Sequence, residues 1–106
     1  MKITDNQLLA KIKEIVLGFD RQARIYLYGS HSRGTATGNS DWDLLILLDI
    51  DIITPEMERA ITYPIYDLEF DTGEIISPML YTIDDWNNRY SITAFYKNVM
   101  KEGIMI

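Results

Sequence analysis

Two hydrophobic spacings alternate along the chain, one typical of helices and one typical of strands. Apolar residues recur every three or four positions in three segments and are packed more densely in three shorter runs. The predicted helices are 5–18, 55–71 and 91–102, and the predicted strands are 24–28, 43–49 and 74–81. The run 43–49 is apolar on both faces, as in a central strand that is covered on both sides. The order predicts an α/β or α+β fold, in which helices pack on a small mixed sheet.

Capping residues and breakers set the predicted ends of these elements. Thr4 begins a capping box before the first helix, and Gly18 offers a stop at its end. Ser91 is the predicted cap of the last helix. Pro64 lies inside the second helix, where we expect it to kink or split the helix. The segment 82–88 is expected to hold a turn and a short helical piece.

Composition narrows the classes of protein that remain. The chain has 106 residues, so we expect a single domain over 1–106. Hydrophobic residues make up 47% of the chain and charged residues 25%, which argues against a disordered protein. The absence of cysteine excludes disulfides and thiolate metal sites, and one histidine argues against zinc.

Charge and hydropathy also bear on partners. The net charge of -6 argues against a protein that binds free nucleic acid, because such proteins carry basic patches. No apolar run reaches the ~18 residues that a membrane span requires, and no signal-peptide core is recognisable. We therefore expect a cytoplasmic protein that does not enter membranes.

A turn rich in glycine and hydroxyl residues follows the first strand and is a candidate phosphate site. Gly29 allows the backbone to turn sharply and a ligand to approach closely. Ser30 can cap a following helical turn, whose free amides suit an anion, and Arg33 comes one turn later. Alone, such a Gly-Ser pair is more often an ordinary turn.

Asp41 and Asp43 stand at the start of the central strand. Residues i and i+2 of a strand point to the same side, roughly 6.5–7 Å apart, so both carboxylates can reach the same hard metal ions. Mg²⁺ takes one or two carboxylates together with phosphate oxygens. Alone, the pair could be a solvated loop end. Because few residues separate it from the Gly-Ser turn, the two together predict phosphoryl or nucleotidyl transfer.

These residues also resemble a known family. The chain has a Gly-Ser pair, an Arg-Gly pair and a Ser-Asp-x-Asp segment that leads into an apolar strand. The positions are Gly29, Ser30, Arg33, Gly34, Ser40, Asp41 and Asp43. This pattern is similar to that of the minimal nucleotidyltransferases of the DNA polymerase β superfamily.

The resemblance implies a reaction and a set of roles. A nucleoside monophosphate, expected to be AMP from ATP, is transferred to a hydroxyl with two Mg²⁺ ions. Asp41 and Asp43 are the implied metal ligands and catalytic residues. The implied nucleotide-binding residues are Gly29, Ser30, Arg33 and Ser40.

The resemblance implies a partner as well. Small members of this type pair with helical HEPN-type proteins as antitoxin and toxin, and some transfer AMP to a tyrosine of the toxin. The alternative is an interaction module with weak or no catalysis, which neutralises its partner by binding. The sequence leaves open the acceptor, the nucleotide preference and the oligomeric state.

Active members of the family carry a third carboxylate on a later strand, where it accepts the proton of the attacking hydroxyl. Glu74, at the start of the third predicted strand, is our candidate for this catalytic role. The alternatives are one of Asp67, Glu69 and Asp71, or no third carboxylate in this chain.

Several neighbouring side chains have simpler interpretations. His31 is read as an incidental loop residue, and Trp42 as packing on the face opposite the aspartates. Arg33 either meets a triphosphate or pairs with an acid to hold its loop, and the pairing is slightly favoured. Four aromatic residues either form a partner surface or fill the core of the domain, and the core is slightly favoured. They are Tyr81, Trp86, Tyr90 and Tyr96.

Overall fold

Five helices and four strands make up residues 3–106, the part of the chain that the computed structural model describes. In chain order they are α1 (Asp5–Phe19), β1 (Arg24–Tyr28), α2 (Ser30–Arg33), β2 (Trp42–Leu48), α3 (Pro55–Thr72), β3 (Ile76–Thr82), α4 (Ile83–Asn88), α5 (Ala94–Glu102) and β4 (Ile104–Met105).

The strands form one mixed sheet in the order β3-β2-β1-β4. β1 is antiparallel to both β2 and β4, whereas β2 and β3 are parallel and are joined through α3. Parallel neighbours need such a crossover, and a helix is the usual form. The predicted mixed sheet with packed helices is thus confirmed.

Helices cover both faces of the sheet and create two hydrophobic clusters. α1 and α3 pack on the face that carries Leu44, Ile46 and Leu48. α4 and α5 pack on the other face, where Trp86 and Val99 meet Leu45 and Leu47. All five of these β2 side chains are at most 2% exposed. The prediction of a central strand covered on both sides is therefore confirmed.

Three local expectations about the helices differ from the structure, and one short strand, β4, was not predicted. α1 does not stop at Gly18 but continues to Phe19, and the amide of the next residue, Asp20, still donates to the carbonyl of Val16. α5 begins at Ala94 rather than at 91, and the cap is Thr93, whose hydroxyl accepts from the amide of Tyr96 at 3.1 Å. Pro64 lies inside α3, which runs unbroken from Pro55 to Thr72, so the expected split is not seen. β4 has only two residues, too few for an alternating pattern to predict.

None of the helices within residues 3–106 is both long and apolar enough to cross a membrane.

Candidate active site

Three neighbouring strands place Tyr28, Asp43 and Ser77 in one row. Tyr28 of β1 is in register with Asp43 of β2, and Asp43 is in register with Ser77 of β3. Because side chains alternate along a strand, Asp43 lies on the same face as Leu45 and Leu47, under α4 and α5. The row therefore runs across the sheet at the end where β2 begins.

Asp41 and Asp43 act on each other electrostatically at this edge. Burial raises the pKa of the Asp43 carboxyl, and the negative charge of Asp41 raises it further, while His31 and Arg33 oppose the shift. Ser77 Oγ donates to Asp41 Oδ2 at 3.4 Å. The structure thus brings together the two carboxylates that the spacing predicted.

The turn at Gly29 is fitted closely around Asp43. Gly29 has φ 75° and ψ -154°, a region that residues with a side chain almost never adopt. A Cβ at this position would overlap the carboxylate oxygen Oδ2 of Asp43. Glycine is required here both for the backbone conformation and for the close approach of the aspartate.

The loop after the turn is held by its own hydroxyl groups and by one ion pair. Ser32 Oγ donates to the carbonyl of Gly29 at 2.9 Å, and Ser40 Oγ accepts from the amide of Thr37 at 2.9 Å. Arg33 Nη1 lies 3.2 Å from Glu102 Oε2 of α5. The predicted pairing of Arg33 with an acid is confirmed, and the Arg33 side chain is still 48% exposed.

A family model described as a nucleotidyltransferase domain matches residues 9–104. This chain belongs to the nucleotidyltransferase domain family. The match spans the three strands and the loop that carry the candidate site. No curated protein matches the chain.

The fold is also similar to that of a solved structure titled "Crystal structure of the toxin-antitoxin with AMP-PNP". The TM-score is 0.63 at 21% sequence identity, over 91% of this chain and 69% of the other. At this identity the likeness shows a shared fold.

The loop of this nucleotidyltransferase domain is also anchored on the far face of β2. The His31 ring stacks on Trp42, with centroids 3.5 Å apart and an interplanar angle of 14°, and its Nε2 lies 3.3 Å from the Ser40 carbonyl. Trp42 is 3% exposed, which confirms its predicted packing role. His31, read from the sequence as incidental, is a structural part of the loop. The sequence did not reveal this contact, because the loop is polar and the stacking partner of His31 is Trp42 on β2.

The candidate third carboxylates are engaged elsewhere. Glu74 Oε2 accepts from the indole Nε1 of Trp42 at 3.1 Å, and Glu69 Oε2 accepts from the amide of Ile76 at 2.9 Å. Asp67 and Asp71 line a groove between α1 and α3, on the other face of the sheet. Within residues 3–106, no three Asp, Glu, His or Cys side chains are grouped to hold a metal.

Ser77 is the β3 residue that lies beside the aspartate pair. It is in register with Asp43 and in contact with Asp41, so the side chain that β3 presents to the aspartate pair is a hydroxyl and not a carboxylate. Sequence reasoning did not single it out, because the register of β3 against β2 joins residues that are far apart in the chain.

The four aromatic residues that were candidates for a partner surface belong to the hydrophobic cluster under α4 and α5. Trp86 is 1% exposed and lies 5.7 Å from the Tyr81 ring and 4.9 Å from the Tyr96 ring. Tyr90 lies 4.8 Å from Tyr81. These contacts confirm the interpretation as core filling.

Proposed function

We propose that this nucleotidyltransferase domain binds ATP with Mg²⁺ at Asp41 and Asp43 and transfers AMP to a hydroxyl of a partner protein in the cytoplasm. One observation carries the proposal. The Gly29 turn is packed against the Asp43 carboxylate, with Asp41 beside it. The turn that we propose to bind phosphate is therefore adjacent to the carboxylate pair that we propose to bind the metal.

The donor set suits magnesium. Mg²⁺ is held by oxygen ligands, usually one or two carboxylates completed by waters and phosphate oxygens. Asp41 and Asp43 supply the two carboxylates, and a cation would relieve the repulsion that raises the pKa of Asp43. When bound, Mg²⁺ would neutralise charge on the triphosphate and orient it for displacement.

In the proposed reaction, the oxygen of the acceptor hydroxyl attacks the α-phosphorus of ATP. The bond from that phosphorus to the bridging oxygen breaks, and pyrophosphate leaves. The hydroxyl proton passes to a base; Glu74 is our candidate within this chain, and to accept the proton its carboxylate would have to leave the hydrogen bond to Trp42. The turn at Gly29 lets the phosphates approach the backbone closely, and Arg33 supplies a positive charge beside them.

A second candidate function is an interaction module of the same fold that neutralises a partner by binding. The observation that favours it is Ser77, which lies beside the carboxylate pair and cannot act as a base at neutral pH. Glu74 is already hydrogen-bonded to Trp42. A two-carboxylate site of this kind can bind a metal and a nucleotide without rapid transfer.

The fold comparison supports a protein partner and an adenine nucleotide. The similar structure is titled as a toxin–antitoxin with AMP-PNP, which is an analogue of ATP. We extend both features to this chain and propose a helical HEPN-type partner, with a tyrosine hydroxyl as the acceptor.

The test is to incubate the chain with ATP, Mg²⁺ and the protein encoded by the adjacent gene, and to weigh both proteins by mass spectrometry. A gain of AMP units on the neighbour that Asp43→Asn abolishes supports the enzyme. A stable complex that binds ATP but gains no mass supports the interaction module. Transfer that appears only in Ser77→Asp would assign the missing activity to the third carboxylate. If ATP binds to neither the chain nor the complex, the enzyme is refuted, and if the two proteins form no complex, the interaction module is refuted.

A further inference from the structure

A second concave feature adjoins the candidate active site. A cavity of about 280 Å³ lies between the end of β1, α2 and α5. Gly29 lines this cavity and also contacts the Asp43 carboxylate, so the two sites share one residue. A ligand with its phosphates at the aspartates could therefore extend into the cavity without crossing the sheet.

The inner wall of the cavity is aromatic. Phe95 and Tyr28 both line it, in an edge-to-face contact with centroids 5.4 Å apart and an interplanar angle of 75°. Both rings are half-buried, so each presents only part of its surface to the cavity. Neutral aromatic walls favour planar rings, which stack on a face or meet an edge.

The outer wall is polar and carries both donors and acceptors. Asn98 of α5 presents an exposed amide, and the ion pair of Arg33 and Glu102 lies beside it. A carboxamide has one donor and one acceptor side, which match N7 and the 6-amino group of adenine. Guanine presents two acceptors on that edge, and a carboxamide cannot pair with both.

The size of the cavity suits one base rather than a whole nucleotide. Pockets for drug-sized ligands measure about 300–1,000 Å³, and this one lies just below that range. It leaves the ribose and the phosphates outside, on the side of Gly29.

We propose that this cavity binds the purine base of the nucleotide and that Asn98 selects adenine over guanine. The base stacks or packs against Phe95, and the Asn98 amide reads its N6/N7 edge. This inference rests on the proposed function, because it takes the phosphates to lie at Asp41 and Asp43.

The experiment compares ATP, GTP, CTP and UTP as competitors of a fluorescent ATP analogue, with Mg²⁺ present. The proteins are the unmodified chain, Asn98→Ala, and Asn87→Ala as the matched control. Asn87 is an exposed amide on α4 that lines a cavity with Asp49 and Asp51 instead. Asn98 is exposed, so we expect both variants to melt at the temperature of the unmodified chain.

The expected result is a preference for ATP over GTP that falls about tenfold in Asn98→Ala, the loss expected for one bidentate amide–adenine pair. Asn87→Ala keeps the preference. If all four nucleotides bind and Asn98→Ala weakens them equally or not at all, the base site is refuted while the proposed function stands. If no nucleotide binds to the unmodified chain, both are refuted.

Discussion

Replacement of Gly29 by alanine tests whether the turn and Asp43 form one unit. The φ of 75° and ψ of -154° place the residue in a region that costs a side-chain-bearing residue about 1–3 kcal/mol. The new Cβ would also overlap Asp43 Oδ2, and such overpacking costs about 1–3 kcal/mol more. We expect Gly29→Ala to lower the free energy of unfolding by about 2–6 kcal/mol, the sum of these two ranges.

Gly34 provides a matched control. Its φ of 73° is nearly the same, but a Cβ there meets no atom within 4 Å. Gly34→Ala should therefore cost only the left-handed strain, about 1–2 kcal/mol. Urea unfolding of both variants measures the difference, and ATP binding should be lost in Gly29→Ala and kept in Gly34→Ala.

The contact itself can be isolated with a second change. Asp43→Ala removes the carboxylate, so the double variant Gly29→Ala/Asp43→Ala should recover about 1 kcal/mol or more of the stability lost at Gly29. Equal losses in Gly29→Ala and Gly34→Ala, with ATP binding intact in both, would refute a turn that is fitted to the aspartate.

Three further predictions concern titration and the third carboxylate. Folding raises the pKa of Asp43, so the free energy of unfolding falls as pH rises and this carboxyl ionises. With chelator present, Asp43→Asn should therefore be more stable than the unmodified chain at neutral pH, and this advantage should vanish in acid. Ultraviolet absorbance should show one tyrosine that ionises near pH 12 and is missing in Tyr28→Phe, and the stability that the neutral phenol provides should be lost as pH rises from 10 to 12. Glu74→Gln keeps an acceptor for Trp42 and should leave stability unchanged, whereas Glu74→Ala should cost about 1–3 kcal/mol by leaving the buried indole N–H unpaired. If Glu74→Gln still transfers AMP at the unmodified rate, Glu74 is not the proton acceptor.

Local signals were enough to predict much of this molecule. The Gly29 turn and the aspartate pair lie within one short segment, and the strand that follows is apolar over its whole length, so neither needs information from distant residues. The capping box at Thr4 is equally local, and its hydrogen bonds with Gln7 are present at 3.0 and 3.1 Å.

The contacts that the sequence did not reveal join distant parts of the chain. Arg33 pairs with Glu102, and Trp42 pairs with Glu74. The partners are too far apart in the sequence for a local pattern to predict either contact. The position of Ser77 beside Asp43 depends on the register of β3 against β2. At 91–93, Ser91 and Thr93 are both good caps, and the turn that ends with the Thr93 amide bonded to the Tyr90 carbonyl decides between them.

The central claim is that Asp41 and Asp43 bind the triphosphate through Mg²⁺, and a calorimetric titration with ATP tests it most directly. The titration is run with Mg²⁺ and with chelator, on the unmodified chain, Asp41→Asn, Asp43→Asn and the control Asp51→Asn. Asp51 is an exposed aspartate after the other end of β2, so it provides the same change of charge away from the site. We predict binding that requires Mg²⁺, survives in Asp51→Asn and is lost in both site variants. Binding that is equally strong in chelator, or that persists in Asp41→Asn and Asp43→Asn, would contradict the account.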